Sequence, residues 1–461
     1  MLKDIIDPKL YELLFRGSSR IKNSQYIRVL AHFDGDGTSA AIILCSTLKR
    51  LDIKFHLGYI KSLDGENFRK RIEEEPDCTT VIVDAGSDQV QYVPEAENLI
   101  ILDHHFYSKS TVQALNINAR DFGIDGTREA CGSTMAYLMA LAVNEKNRDL
   151  YPFFLSGVIA DKQDIGGLRG LNGVLEKEYG RDYDTVHTLN LEGGMVVDAI
   201  TYSTDPFFKD LTGNPENVNK LLQNLGIKPE TSVYNLQDTE KASLANALAA
   251  KLISQNIGLE AMKYLEGDIV RFKDLDFSSK EVSSIVDGNS KIGKNSIPVQ
   301  YFLGDTSVKE EMISNWKISK TKLIEYTYRV LKDIFEEDSI RYFYAPEGEM
   351  TGSISGILSL YLLKQDKPLI GFNAGSDNTK VSSRGTRKLV QRGLNLSTVM
   401  REASTQVGGS GGGHDIAAGA VIPRGKEKQF VELANDMVKG QLSGNAGKDP
   451  GSEGRRGDLE P

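Results

Sequence analysis

The sequence predicts an α/β protein with an N-terminal doubly wound parallel-sheet domain, a helical connection carrying an insertion, and a smaller C-terminal α/β domain. Three observations predict it. Short β-branched runs alternate with helical stretches from Tyr26 to about Asn190, the pattern of a parallel sheet covered by helices. The same alternation resumes near Ile340 after a long interval without it. The length, 461 residues, is more than one ordinary core organises and suits two compact domains plus connecting material.

In chain order, the runs Ile27-Arg28-Val29-Leu30, Thr80-Val81-Ile82-Val83 and Leu99-Ile100-Ile101-Leu102 read as buried strands, each followed closely by polar and charged residues. Those residues would sit at the carboxyl ends of the strands, where open α/β sheets bind their ligands. From Leu191 to Val330 the helical periodicity is broken by Pro215, Pro229, Gly288 and Gly293, with no chemical motif. Ile340 to Tyr344 then predicts a strand, Ser353 to Leu363 a helix, and Pro368 to Phe372 a further strand. After Gly440 almost nothing apolar remains, too little to bury, and a disordered tail is expected. The expected division is 1–190, 191–334 for the helical connection and insertion, 335–440, and 441–461 for the tail.

No uncharged apolar run approaches the roughly 20 residues of a membrane-spanning helix. The N-terminus carries Asp4, Asp7 and Pro8 where a secretory signal would be continuously apolar, so cytoplasmic residence is expected. Cys45, Cys78 and Cys131 are odd in number and widely spaced, which argues for free thiols over a disulfide framework or a zinc cluster. The formal charge of -9 does not advertise a nucleic-acid binder. A site holding two divalent cations, however, concentrates carboxylates, and the cations themselves supply positive field.

Four clusters carry the chemistry: His32-Phe33-Asp34-Gly35-Asp36-Gly37, Asp84-Ala85-Gly86-Ser87, Asp103-His104-His105, and Ala160-Asp161-Lys162-Gln163-Asp164. In the first, His32, Asp34 and Asp36 alternate along what reads as an extended segment, so that three ligands point to one side. Carboxylates with imidazole and no cysteine suit Mn²⁺ or Mg²⁺ and not structural zinc. Each cluster alone also reads as a turn, a helix cap or a pair of surface histidines; one dinuclear site explains all four together.

The order His-x-Asp-x-Asp, Asp, Asp-His-His, Asp resembles the four motifs of the DHH phosphoesterase superfamily, whose triplet is Asp103-His104-His105 here. The resemblance implies two Mn²⁺ (or Mg²⁺) ions. His32 and Asp34 would bind one, Asp36, His104 and Asp161 the other, and Asp84 both. His105 would contact the phosphate or assist the leaving group, Asp103 would orient the histidine pair, and Asp164 is the weaker substitute for Asp161. The segment from Gly157 to Asp164 is similar to the fourth motif of archaeal RecJ-like members in particular.

A second signature, Gly408-Gly409-Ser410-Gly411-Gly412-Gly413-His414-Asp415-Ile416-Ala417-Ala418-Gly419, resembles the glycine-rich motif of the DHH-associated C-terminal domain. Consecutive glycines leave backbone N–H groups unshielded, so that Gly411, Gly412 and Gly413 cradle an anion with His414 as a donor at the edge. Upstream, Ser382-Ser383-Arg384-Gly385-Thr386-Arg387-Lys388 and Arg392 form a basic cluster. Arg384 stands where the family places a phosphate-gripping arginine, with Ser382 beside it. Arg387, Lys388 and Arg392 either extend that grip or form a solvated helix face.

The resemblance implies a metal-dependent exonuclease acting on single-stranded DNA or RNA in replication or repair, with the C-terminal domain holding the substrate across an interdomain cleft. Without an aromatic stacking box, backbone grip and not base readout is expected. The alternatives are an oligoribonuclease or cyclic-dinucleotide phosphodiesterase with the same centre, and a replication scaffold that binds the GINS complex, as eukaryotic relatives that lost their ligands do. GINS is also an expected partner of an active enzyme of this type, with the unassigned 205–318 as the candidate contact.

Overall fold

The computed structural model describes residues 2–61, 65–93, 96–108, 113–255, 265–272 and 275–443. The chain forms two compact units, Met1–Thr188 with Asp268–Ser319, and Leu189–Gly267 with the chain from Lys320 on.

The first unit is built on five parallel strands, β1 (Tyr26–His32), β2 (Lys54–Ile60), β3 (Thr79–Val83), β4 (Leu99–Asp103) and β5 (Leu115–Asn118), in the order β2-β1-β3-β4-β5. Alternate side chains enter two separate cores. Val29, Ala31, Val81, Val83, Ile100 and Leu102 face one, and Leu30, Ile82, Leu99 and Ile101 the other. Burial on both faces is why the central strands are nearly continuous apolar runs and why the sheet is doubly wound. The edge strands β2 and β5 escaped sequence reading for the complementary reason. Lys54 and His56 of β2 are exposed, and β5 has four residues. Between β1 and β3 the strand order reverses, the switch point where such sheets open a crevice at their carboxyl ends.

The stretch expected as helical connection and insertion is shared between the units. It includes β7 (Glu266–Arg271), which pairs with β6 (Asp184–Leu189). Its helix Ser279–Lys291, closed by a capping box in which Ser278 N–H donates to Glu281 Oε2 at 2.8 Å, sends Val282 and Val286 into the first unit's core.

The second unit carries a mixed sheet of β8 (Phe335–Glu336), β9 (Arg341–Tyr344), β10 (Leu369–Ala374), β11 (Asn378–Arg384), β12 (Ser410–Gly413) and β13 (Ala417–Pro423), in the order β12-β13-β11-β10-β9-β8. Only β9 and β10 run parallel among these pairs, joined by the helix Thr351–Ile357 and a π-helical turn, Leu358–Leu362. The helices Leu396–Gln406 and Glu427–Ser443 pack on one face through Val399, Met400, Phe430 and Ala434 against Phe372, Val381 and Ile422. Residues 441–443, expected in the tail, complete the last helix; the rest of the expected tail lies outside the described residues. Among the described residues no helix is long and apolar enough to cross a membrane, and all three cysteines are free.

A candidate metal centre at the carboxyl ends of the strands

Three strand ends and one helix end meet at the switch point of the first unit. β1 finishes at His32, and the chain turns at once into the helix Gly35–Arg50. Asp34 is that helix's N-cap, accepting from Gly37 N–H at 3.0 Å, and Asp36 lies in its first turn. The expected extended alternation of His32, Asp34 and Asp36 is therefore corrected: helix initiation at Gly35 places Asp34 and Asp36 in different parts of the centre. The turn is tight enough that a Cβ on Gly37 would lie 2.3 Å from His32 O. Asp84 follows β3 in the left-handed region, φ 61°. Asp103 ends β4, His104 and His105 follow, and Asp161 caps the C-terminus of the helix Tyr151–Ala160.

Two triads result, His32 with Asp34 and Asp84, and Asp36 with His104 and Asp161, each with ligand atoms close enough to share one ion. His32 Nδ1 lies 3.0 Å from Asp34 Oδ2 and 3.4 Å from Asp84 Oδ2. His104 Nε2 lies 3.0 Å from Asp84 Oδ1, 4.0 Å from Asp36 Oδ2 and 3.9 Å from Asp161 Oδ2. The two oxygens of Asp84 thus face different triads. Asp164 stands apart, paired with Lys280 at 3.1 Å, so Asp161 is the member of this pair that enters the centre.

Neighbouring groups fix each side chain. Gly132 and Ser133, at the N-terminus of the helix Gly132–Val143, donate backbone N–H to Asp36 Oδ2 and Oδ1 at 2.6 and 2.9 Å, where the helix dipole favours negative charge. The Nδ1 of His104 meets Gly126 O at 2.5 Å; a carbonyl there requires Nδ1–H, so Nε2, which faces the carboxylates, is the nitrogen that would give up its proton to bind a cation. Asp103, 1 % exposed, accepts from the backbone N–H of Ser87, His104 and His105 at 3.0, 2.7 and 3.2 Å and contacts His105 Nδ1 at 2.8 Å. Gly126, Gly132 and Ser133 escaped sequence reading. The available signal was the Gly-Ser-Thr opening of a helix, which read alone is an ordinary cap.

The donor set fits a pair of divalent ions. Nδ1 of His32 is buried without a properly directed hydrogen bond, as a lone pair aimed at a cation would be. Four carboxylates, Asp34, Asp36, Asp84 and Asp161, carry the charge that two divalent cations neutralise, and oxygen with imidazole is the set hard cations take. Without cations the charges crowd. Burial, then Asp84 and Asp161, hold the Asp36 carboxyl well above its usual range. Burial also pushes Asp161 up to about 6, against the opposing charge of His104. Burial works against protonation of His32, yet the neighbouring Asp34 and Asp84 carboxylates carry it up to about 11. Burial opposes ionisation of Asp84 as well, but His104 and His32 hold it far below the carboxylate range.

A pH dependence follows. A carboxyl raised on folding stabilises the metal-free fold at low pH and loses that contribution as pH rises through its folded value, about 6 for Asp161. Divalent ions must displace the protons on Asp161, Asp36 and His32. The rise in Tm on adding Mn²⁺ should therefore be larger at about pH 8 than at about pH 5.5. Asp84 stays ionised throughout that window. Thermal melts with Mn²⁺ and with chelator check this, and a pH-independent increment contradicts it.

In the second unit, Ser382, Gly419 and Gly412 lie in register across β11, β13 and β12, and Arg384 pairs in register with Ala417. The glycine run is a regular edge strand and not an irregular cradle, because β12 pairs along its length with β13. Gly409, Gly411 and Gly413 leave no room for a Cβ, whereas Gly412 opens onto free space. His414 is exposed and its N–H donates to Ala417 O. The Arg384 guanidinium donates to Ser383 O at 2.9 Å and contacts Ser382 Oγ at 3.4 Å. Burial alone lowers its pKa, and no carboxylate pairs with it among the described residues. Arg387 and Lys388 open the short helix Arg387–Gln391 and are exposed, as is Arg392.

Residues 26–159 match the DHH family N-terminal domain and residues 339–440 the DHHA1 domain. The chain belongs to the DHH superfamily of phosphoesterases. It is 32 % identical over 434 residues to an uncharacterised protein of Methanocaldococcus jannaschii, covering 90 % of this chain and 94 % of that one. RecJ from Thermus thermophilus in complex with Mn²⁺ shares the fold at 16 % identity and a TM-score of 0.57, over 93 % of this chain and 54 % of RecJ. This DHH protein thus spans about half of RecJ's length. CDC45 from Entamoeba histolytica shares it at 12 % identity and a TM-score of 0.58, over 94 % of this chain and 99 % of the other.

Proposed function

We propose that the protein is a two-metal exonuclease that hydrolyses phosphodiester bonds at an end of single-stranded DNA or RNA. The observation that carries this reading is the pair of triads joined through Asp84, one oxygen toward His32 and the other toward His104. His32, Asp34 and Asp84 would hold one divalent ion, and Asp36, His104, Asp161 and Asp84 the other. Such a pair activates water and stabilises charge developing on phosphoryl oxygens. The solved RecJ is a Mn²⁺ complex, in keeping with manganese here, and magnesium suits the same donors.

The chain's own groups supply the rest. His105 is 54 % exposed in its side chain, with Nδ1 tied to Asp103. Burial opposes protonation of His105, but the Asp103 hydrogen bond raises its pKa overall, which suits a ring that holds a proton near neutral pH and delivers it to a leaving oxygen. Ser382, Arg384 and the open face at Gly412 would bind a phosphate, and the half-buried guanidinium, with no carboxylate partner among the described residues, supports that role. Gly411, Gly413 and His414 would shape the rim, and the exposed Arg387 and Lys388 would extend the grip along a strand in a replication or repair setting. The complete ligand set favours catalysis over a scaffold whose only role is to bind GINS.

Single-stranded DNA and RNA labelled at either end, incubated with Mn²⁺, Mg²⁺ or chelator, test the reading. Stepwise shortening from one end that chelator abolishes is expected; turnover of dinucleotides with long strands left intact contradicts it. Arg384→Ala should raise KM for a long strand by about 10²-fold, close to 3 kcal/mol of binding, while leaving Mn²⁺ binding unchanged.

A further inference from the structure

We infer that Gln163 is a positioning residue for one of the two ions: its buried side-chain amide ties together the three side chains Asp36, His104 and Asp161 and touches neither His32 nor Asp34. This rests on the two-metal reading above and assigns a device to one half of it. Gln163 is 5 % exposed. Its Nε2, with two hydrogens to share, lies within hydrogen-bond distance of three acceptors, Ala130 O at 3.0 Å, Asp161 Oδ2 at 3.1 Å and Gly126 O at 3.2 Å. Two backbone carbonyls among these acceptors fix which way the amide faces, since a carbonyl can meet only the NH₂ end.

Gly126 O is the same atom that meets His104 Nδ1, so one amide holds the Asp161 carboxylate and the carbonyl that sets the His104 tautomer. The other end of Gln163 continues the network. Asn172 Nδ2 donates to Gln163 Oε1 at 2.8 Å, Thr134 Oγ1 donates to Asn172 Oδ1 at 2.7 Å, and Cys131 N–H donates to Thr134 Oγ1 at 3.0 Å. That last bond lies at the start of the helix whose Gly132 and Ser133 N–H groups grip Asp36. Asn172 and Thr134 are fully buried, and a chain of buried polar groups in which every member is satisfied is rigid. Groups that orient metal ligands in this way commonly change metal affinity by about 10–100-fold when removed.

The test is calorimetric titration of Mn²⁺ into the chelator-treated full chain. Gln163→Met, close in shape and without donors, should weaken one of two Mn²⁺ sites by about 10–100-fold and leave the other within about twofold. That loss should vanish in an Asp161→Asn background and persist in an Asp34→Asn background, as a double-mutant cycle requires. Asn172→Asp offers an acceptor where Gln163 needs a donor, turns the amide over, and should give the same selective loss if Gln163→Met does not fold. In turnover assays the Mn²⁺ activation constant should rise while kcat at saturating Mn²⁺ changes much less. Unchanged affinities, or equal loss at both sites with a lowered Tm, would overturn the inference. A wild-type chain that binds fewer than two Mn²⁺ would instead overturn the two-metal reading beneath it.

Discussion

Replacing Asp84 by Asn should reduce kcat/KM for metal-dependent hydrolysis by at least about three orders of magnitude, about 4 kcal/mol of transition-state stabilisation, with the fold intact. Asn has the shape of Asp and tolerates the left-handed region, which matters because this residue stands at φ 61°. Ala at the same place adds backbone strain and so mixes two effects. The change removes the one negative charge shared by both triads, since Oδ1 faces His104 and Oδ2 faces His32. Initial rates at saturating Mn²⁺, beside thermal melts in chelator, separate loss of chemistry from loss of structure. A melt within a few degrees of wild type and activity near background are expected; retained activity contradicts the bridging role.

Gly132→Ala should be nearly as damaging, by a steric route. A Cβ there would lie 2.4 Å from Asp84 Cβ, 2.7 Å from its Cγ and 2.8 Å from its Oδ1. These are not the loose ends of a flexible side chain. Asp84 sits in a fixed left-handed turn, while the Gly132 N–H is committed to Asp36. One methyl group therefore pushes on two carboxylates of the candidate centre together. Overpacking of this kind costs about 1–3 kcal/mol of stability, and displacement of the ligands should lower kcat by about two orders of magnitude or more. Mn²⁺ titration should show both sites weakened, unlike the one-sided loss expected of Gln163→Met. Activity close to wild type would show that the turn yields at no cost.

Much of this was legible in the residues because the chemistry is concentrated where chain direction is easiest to read. Strands β1, β3 and β4 are apolar on both faces, and Asp84, Asp103 and His104 come directly after or at their ends, so the clusters announce both the sheet and the crevice. Local conformation was less legible. His-x-Asp-x-Asp reads as an extended ligand row, but glycine at 35 and 37 lets the helix begin inside the motif, and capping by Asp34 decides the geometry. Long-range placement was not legible at all. Nothing local in Ser279–Lys291 indicates that Val282 and Val286 belong to the core of the first unit. Gln163 and Asn172 look like ordinary polar residues until burial brings them into one network. Arg384 was singled out by its motif, while its half-buried setting with no carboxylate partner among the described residues is a property only the packed second unit reveals.

Whether the first unit cages two divalent ions can be read from anomalous diffraction by crystals of the full chain grown with Mn²⁺. Two anomalous peaks no more than about 4 Å apart are expected. One would be held by His32 and Asp34, the other by Asp36, His104 and Asp161, with Asp84 contacting both. A single peak, or peaks that leave Asp84 uncoordinated, would contradict it.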